Sequence, residues 1–153
     1  INFDGMITDS AFTMVIGEQP TGDKKKLLES TEAALYRGLE EIQAGAHVGD
    51  ISAAVESALK GTGLGIVRDL VGHGVGHNVH EEPDIPNHGR AGRGPVLKKN
   101  MSLAIEPIIT LGDYRIQMDD DGWTVRTVDG SLAAQFEHTI LVLEDGCEIL
   151  TKL

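Results

Sequence analysis

Two stretches in the second half of the chain are strand-like in every respect but one. SLAIEPIIT (102–110) and AAQFEHTILVL (133–143) are rich in β-branched and aliphatic residues. Yet each carries an acid, Glu106 and Glu137, where an apolar residue belongs. A third acid, Asp9, interrupts GMITDSAFTMVIG near the start. Side chains two apart on a strand share a face, so Asp9 shares one with Ala11, Thr13 and Val15, and Glu137 with Gln135 and Thr139. A buried carboxylate without a partner costs several kcal/mol or surrenders its charge. One shared cation stabilises three such acids at once, so a metal site is the first expectation.

The other candidate ligands lie in VGHGVGHNVHEEP, which holds His73, His77 and His80. A zinc helix is excluded there, because Gly72, Gly74 and Gly76 make helix costly and position 84 is Asp where the H-E-x-x-H pattern needs His. No Gly-Lys-Ser/Thr follows, so this is no phosphate loop. The glycines instead predict extended backbone with close approaches, aiming imidazoles at a cleft. His47, His77, His88 and His138 are read as structural. A single imidazole with several carboxylates is a mixed N/O donor set, suited to Mn, Fe, Co or Zn and common in two-metal hydrolases. Cys147 is alone among 153 residues, so neither a disulfide nor a thiolate zinc site can form within the chain.

Around these residues the pattern predicts α+β. A strand is expected over Met6–Ile16, an amphipathic helix over Lys24–Gln43, and a second helix over Ile51–Lys60 with Asp50 as its N-cap. Strands are then expected at Ile66–Val71, Ser102–Thr110, Tyr114–Met118, Trp123–Val128, Ala133–Leu143 and Glu148–Thr151. Asp-Gly pairs at 121, 129 and 145 supply hairpin turns. Two helices followed by mainly antiparallel strands form one domain over residues 1–153. Thirteen basic against twenty-four acidic side chains give a net charge of −11, which repels phosphate backbones and anionic lipid. Nucleic acid and membranes are therefore not expected partners, and the short basic runs Lys24–Lys26 and Lys98–Lys99 are read as solvated. With no signal peptide and one cysteine, a cytoplasmic location is expected.

The runs VGHGVGHNVHEEPDIPNHG, SLAIEP and GWTVRTVDGSLAAQFEHTILV, in this order, closely resemble the C-terminal half of the type I methionine aminopeptidases. That family shares the pita-bread fold with Xaa-Pro peptidases and creatinase. The resemblance implies a metal-dependent aminopeptidase that takes methionine from the N-termini of nascent proteins. It implies that Asp9, His73, Glu106 and Glu137 ligate divalent metal (Co, Mn, Fe or Zn), with Asp9 and Glu137 bridging two ions in the complete enzyme. Glu106 would also be catalytic, as a proton shuttle. His80 would be catalytic and substrate-binding, contacting the peptide near the scissile amide. Trp123 would line the methionine pocket, where Val79 replaces a Phe common in relatives. The family's first Asp ligand and its N-terminal lobe would fall before Ile1. The chain is therefore expected to be N-terminally truncated, weakly active alone, and to expose apolar surface to a missing N-terminal half or a second copy. The alternatives are a Xaa-Pro peptidase of the same fold, disfavoured by the WTVRT segment, and a non-catalytic binding module of that fold.

Overall fold

A computed structural model describes residues 1–152. Its first helix, α1 (Gly22–Leu39), follows Thr21 and buries Leu27, Thr31, Ala34, Leu35 and Leu39 on one stripe. It stops four residues short of Gln43, the expected end. The main chain there tightens, with Ile42 N–H donating to Leu39, and then turns outward, with Ala44 N–H donating to Leu143 and Gly45 N–H to Leu97. Ile42 is still buried, held by the loop instead of by the helix. The second helix, α2 (Val48–Ala58), begins three residues before the expected start. Its N-cap is His47, and Asp50 occupies the third helical position. The His47 N–H donates to the Asp50 carboxylate at 2.7 Å, and the Gly92 N–H does the same at 2.7 Å. Those donors hold the Asp50 carboxyl below its usual range.

All strand pairing is antiparallel among the described residues. β1 (Asn2–Phe3) pairs β2 (Met6–Ile7), and β8 (Ile116–Met118) pairs β9 (Val125–Thr127). A three-stranded sheet takes the order β10 (Ala133–Gln135), β7 (Ile108–Thr110), β3 (Gly65–Ile66). A five-stranded sheet takes the order β12 (Cys147–Ile149), β11 (His138–Val142), β6 (Ser102–Ile105), β4 (Gly72–Gly74), β5 (Glu81–Ile85). Leu103, Ile105, Ile109, Ala134, Ile140 and Val142 point to one side and pack against the apolar stripes of α1 and α2. The opposite side of the sheet is left for the polar residues.

The expected strand Ile66–Val71 keeps only Ile66, in β3, and three others differ from the structure in an informative way. Ser102–Thr110 and Ala133–Leu143 each divide at their acid, giving β6 and β7 on either side of Glu106–Pro107, and β10 and β11 on either side of Phe136–Glu137. Pro107 has no N–H to donate, so the ladder opens there. The third, Met6–Ile16, narrows to β2 and a single bridge between Ala11 and Glu137. The Gly/His-rich stretch is extended at Gly72–Gly74, as its glycines predict, and then bends over residues 76–80. A side chain on Gly72 would put its Cβ 2.4 Å from the Ala104 carbonyl, and one on Gly74 2.3 Å from that of Glu82. Only glycine lets β4 run this close to both neighbours.

Candidate metal centre

The register across the crease in the sheet is unbroken. Ile105 faces His138 on one side of it and Ile108 faces Gln135 on the other. The same register sets Glu106 opposite Glu137. In the next row Ala104 faces both His73 of β4 and Thr139 of β11. Ala11 pairs with Glu137, which brings Asp9 level with Thr139. One face of the sheet therefore carries His73, Ala104, Thr139 and Asp9 in one row, and Glu106, Glu137 and Ala11 in the next. Ala104 is small and fully buried, so it leaves room above itself for the longer side chains around it.

This layout brings three of the four expected ligands into one group. Asp9, His73 and Glu137 each offer a donor atom within 4.8 Å of the others. Glu106 reaches the same place through His73, its Oε1 lying 3.3 Å from His73 Nε2. Its second oxygen, Oε2, accepts a hydrogen bond from Gln135 Nε2 at 2.9 Å, and its main-chain carbonyl accepts one from Asn87 Nδ2 at 3.2 Å. His73 Nδ1 lies 2.9 Å from the Gly74 carbonyl. A carbonyl only accepts, so Nδ1 carries a proton and Nε2 of the neutral ring keeps its lone pair toward the carboxylates. That is the orientation a metal-binding histidine needs.

The electrostatics of the group favour a bound cation. Glu137 is 4% exposed, and its Oε1 is buried with no hydrogen-bond partner among the described residues. Burial, then the charges of Glu106 and Asp9, push the Glu137 carboxyl from 4.5 up to about 8, with His73 pulling the other way. The Glu106 carboxylate raises the His73 imidazole above its ordinary value, against the effect of burial. An orphaned carboxylate oxygen, a second and third acid, and an imidazole lone pair fit a hard or borderline divalent ion.

A pH dependence of stability follows for the metal-free chain. Between pH 4.5 and about 8 the folded state keeps a proton on Glu137 that the unfolded state has released, so stability falls as pH rises. His73 acts in the same direction, because the stability a raised imidazole contributes fades as pH climbs past its folded value. His138 is lowered by burial and acts oppositely, but only below its ordinary 6.5. From pH 6.5 to 8 the decline is unopposed by His138, and it amounts to about 2 kcal/mol, or roughly 4–8 °C in Tm for a domain of this size. Thermal melts in chelator at the two pH values measure it, and saturating Mn²⁺ is expected to remove it. A flat Tm in chelator contradicts the burial of an uncompensated Glu137.

The remaining expected residues are placed as follows. His80 lies on the exposed turn after β4, with its ring centroid 4.2 Å from that of His73 and the planes at 60°. His73 and His80 share a cleft of about 340 Å³ with Val71, Glu81, Glu82 and Asp84. Trp123 is on the turn joining β8 and β9 and is 86% exposed, outside the ligand group. Four residues that support the ligands, Thr13, Asn87, Gln135 and Thr139, were not assigned roles from sequence. Period two already put Gln135 and Thr139 on the face of Glu137, and that was the available signal. Asn87 gave none.

Residues 1–144 match metallopeptidase family M24. The chain is 43% identical over 150 residues to a methionine aminopeptidase of Clostridium perfringens, covering 98% of this chain and 60% of the relative. Methionine aminopeptidase 1 of Bacillus subtilis is 45% identical over 150 residues, with the same coverage of 98% and 60%. Among solved structures, the methionine aminopeptidase of Thermotoga maritima superposes with a TM-score of 0.93 at 45% identity, covering 99% of this chain and 60% of that one. A prolidase from Pyrococcus furiosus gives a TM-score of 0.74 at 24% identity, over 99% and 39%, which is a likeness of fold. The chain spans about 60% of the length of these curated relatives.

Proposed function

The chain belongs to metallopeptidase family M24 and has the pita-bread fold, and on that premise we propose that residues 1–153 are the metal-binding catalytic part of an enzyme that removes the initiator methionine from nascent proteins. The observation that carries the reading is the buried, partnerless Glu137 oxygen grouped with Asp9 and His73. Identity favours methionine over proline specificity, at 45% to the Thermotoga maritima methionine aminopeptidase against 24% to the Pyrococcus furiosus prolidase.

In this reading Asp9, His73, Glu106 and Glu137 would hold one divalent ion, and Asp9 and Glu137 would also serve a second in the complete enzyme. Mn, Fe, Co and Zn all suit the donors. When bound, such ions supply Lewis acidity and a hydroxide-like nucleophile near neutral pH. The side chains divide the remaining tasks. Glu106, held at Oε2 by Gln135, would take a proton from the attacking water at Oε1 and pass it to the departing amine nitrogen as the C–N bond breaks. His80, across the cleft from His73, donates to the peptide oxygen beside the scissile bond as charge develops on it. Trp123 borders the methionine side chain in the complete enzyme. Phe12, Met14 and Ile16 are exposed on the segment that carries Asp9. We propose that the rest of the complete enzyme, or a second copy, covers them, and that the chain alone turns over slowly. Nucleic acid and membranes have no part in this reading, and cytoplasmic location is part of the proposal. Among the described residues no helix is long and apolar enough to cross a membrane.

The test is release of methionine from Met-Ala-Ser by the complete enzyme in Mn²⁺ or Co²⁺, with a Xaa-Pro dipeptide as the competing substrate. Methionine release that chelator abolishes is expected, and preferential cleavage of the Xaa-Pro peptide overturns the specificity. In the same assay His80→Ala should keep its metal while kcat/KM falls by about 10²–10³, the usual effect of removing a donor to developing charge. Loss of metal from His80→Ala would make His80 a ligand instead.

A further inference from the structure

The segment carrying Asp9 is attached to the sheet in an unusual way. At its centre the pairing is direct, Glu137 N–H donating to Ala11 at 2.8 Å and Ala11 N–H to Glu137 at 3.4 Å. In the rows on either side a threonine hydroxyl stands between the two main chains. The Asp9 N–H donates to Thr139 Oγ1 at 2.8 Å, and the same hydroxyl donates to the Asp9 carbonyl at 2.7 Å. The Gln135 N–H donates to Thr13 Oγ1 at 2.9 Å, and that hydroxyl donates to the Gln135 carbonyl at 2.9 Å. Each hydroxyl serves as donor and acceptor at once and replaces two direct main-chain bonds.

We propose that Thr139 is a positioning residue for the metal centre: its hydroxyl closes both main-chain bonds of Asp9 and so sets where the Asp9 carboxylate stands against His73 and Glu137. The inference rests on the reading of Asp9 as a ligand. Thr139 is fully buried at the centre of the ligand row, opposite Ala104, and its neighbour Glu137 already holds the middle of the segment through Ala11. Without the hydroxyl the segment keeps the Ala11 bridge, the Thr13 bonds and, on the other side, the Ile7 N–H bond to Gly76 at 2.7 Å, but the Asp9 main chain between them loses both of its bonds to the sheet. A side chain that touches no metal then controls affinity for it, as outer partners of metal ligands do.

The experiment compares Mn²⁺ binding, by calorimetric titration, in the unmutated chain, Thr139→Ser and Thr139→Val, with folding checked by circular dichroism. Thr139→Ser keeps the hydroxyl and should bind within about threefold of the unmutated chain, whereas Thr139→Val keeps the volume and should bind about 10–100-fold more weakly. Thr139→Ala replaces it should the valine variant not fold. Full affinity in a folded variant lacking the hydroxyl overturns the inference while leaving the metal assignment intact. A tenfold loss in Thr139→Ser, with its hydroxyl kept, also overturns it. Absence of Mn²⁺ binding by the unmutated chain overturns the metal assignment, and this inference with it. Thr13→Val, an equivalent lesion at the other end of the segment, should cost similar stability but leave Asp9 anchored, which separates positioning from general loosening.

Discussion

Glu137→Ala is expected to abolish Mn²⁺ and Co²⁺ binding by this chain. Glu137 is the most buried of the three acids and faces Glu106 across the crease, with Asp9 on its diagonal. Its Oε1 has no hydrogen-bond partner among the described residues, and a bound cation would compensate its burial. Removing it leaves Asp9, His73 and Glu106 without the most buried carboxylate of the group. The loss should exceed the roughly 10–100-fold that follows removal of an outer partner. The companion variant Glu137→Gln separates charge from packing. It keeps the volume, cannot ionise, and should be at least as stable as the unmutated chain at pH 8 in chelator, where the buried acid is costly. Titration calorimetry and melts on the same samples give both results. A folded Glu137→Ala that binds Mn²⁺ with unchanged affinity removes Glu137 from the site.

The acids that flagged this site in the sequence also mark where the fold departs from simple pattern reading. SLAIEPIIT and AAQFEHTILVL are each rich in aliphatic and β-branched residues and contain no glycine, so each reads as one strand. The opening at Glu106–Pro107 and Phe136–Glu137 is a matter of hydrogen bonding between partners, which no single stretch displays. It nevertheless preserves register, so the inference that the acids share a face with Gln135 and Thr139 stands. The extended GHG segment was legible because three alternating glycines leave few other options. β5 was not legible, since EEPDI combines residues that strands avoid. Its place at the edge of the five-stranded sheet explains how a proline is tolerated there. The attachment of the Asp9 segment was hidden for a further reason. A threonine at a strand position declares its face, but its hydroxyl shows an allegiance to a neighbouring main chain only once that chain is in place.

Glu106→Gln in the complete enzyme is expected to lower kcat by about 10²–10⁴ with little change in KM, the range that loss of a general acid–base group produces. In the proposed mechanism the two oxygens have different duties. Oε2 is occupied by the Gln135 amide at 2.9 Å, and the main chain behind it is held by Asn87, so the carboxylate cannot swing away. Oε1 faces His73 Nε2 at 3.3 Å and is the atom free to take up a proton. An amide oxygen at the same place still accepts a hydrogen bond but is far too weakly basic to hold that proton at neutral pH. The groups proposed to bind the peptide, His80 and Trp123, are untouched by the change, so ground-state binding should survive. The amide is also a weaker metal donor, so the assay is run at saturating Mn²⁺ with metal content measured on the same protein. Glu106→Asp keeps the basicity but draws it back from His73, and should lie between the two in kcat. A raised KM with unchanged kcat would make Glu106 a substrate-binding group. An unaltered kcat in a metal-loaded Glu106→Gln enzyme would mean that the proton travels by another route, with His80, whose ring centroid lies 4.2 Å from that of His73, the next residue to test.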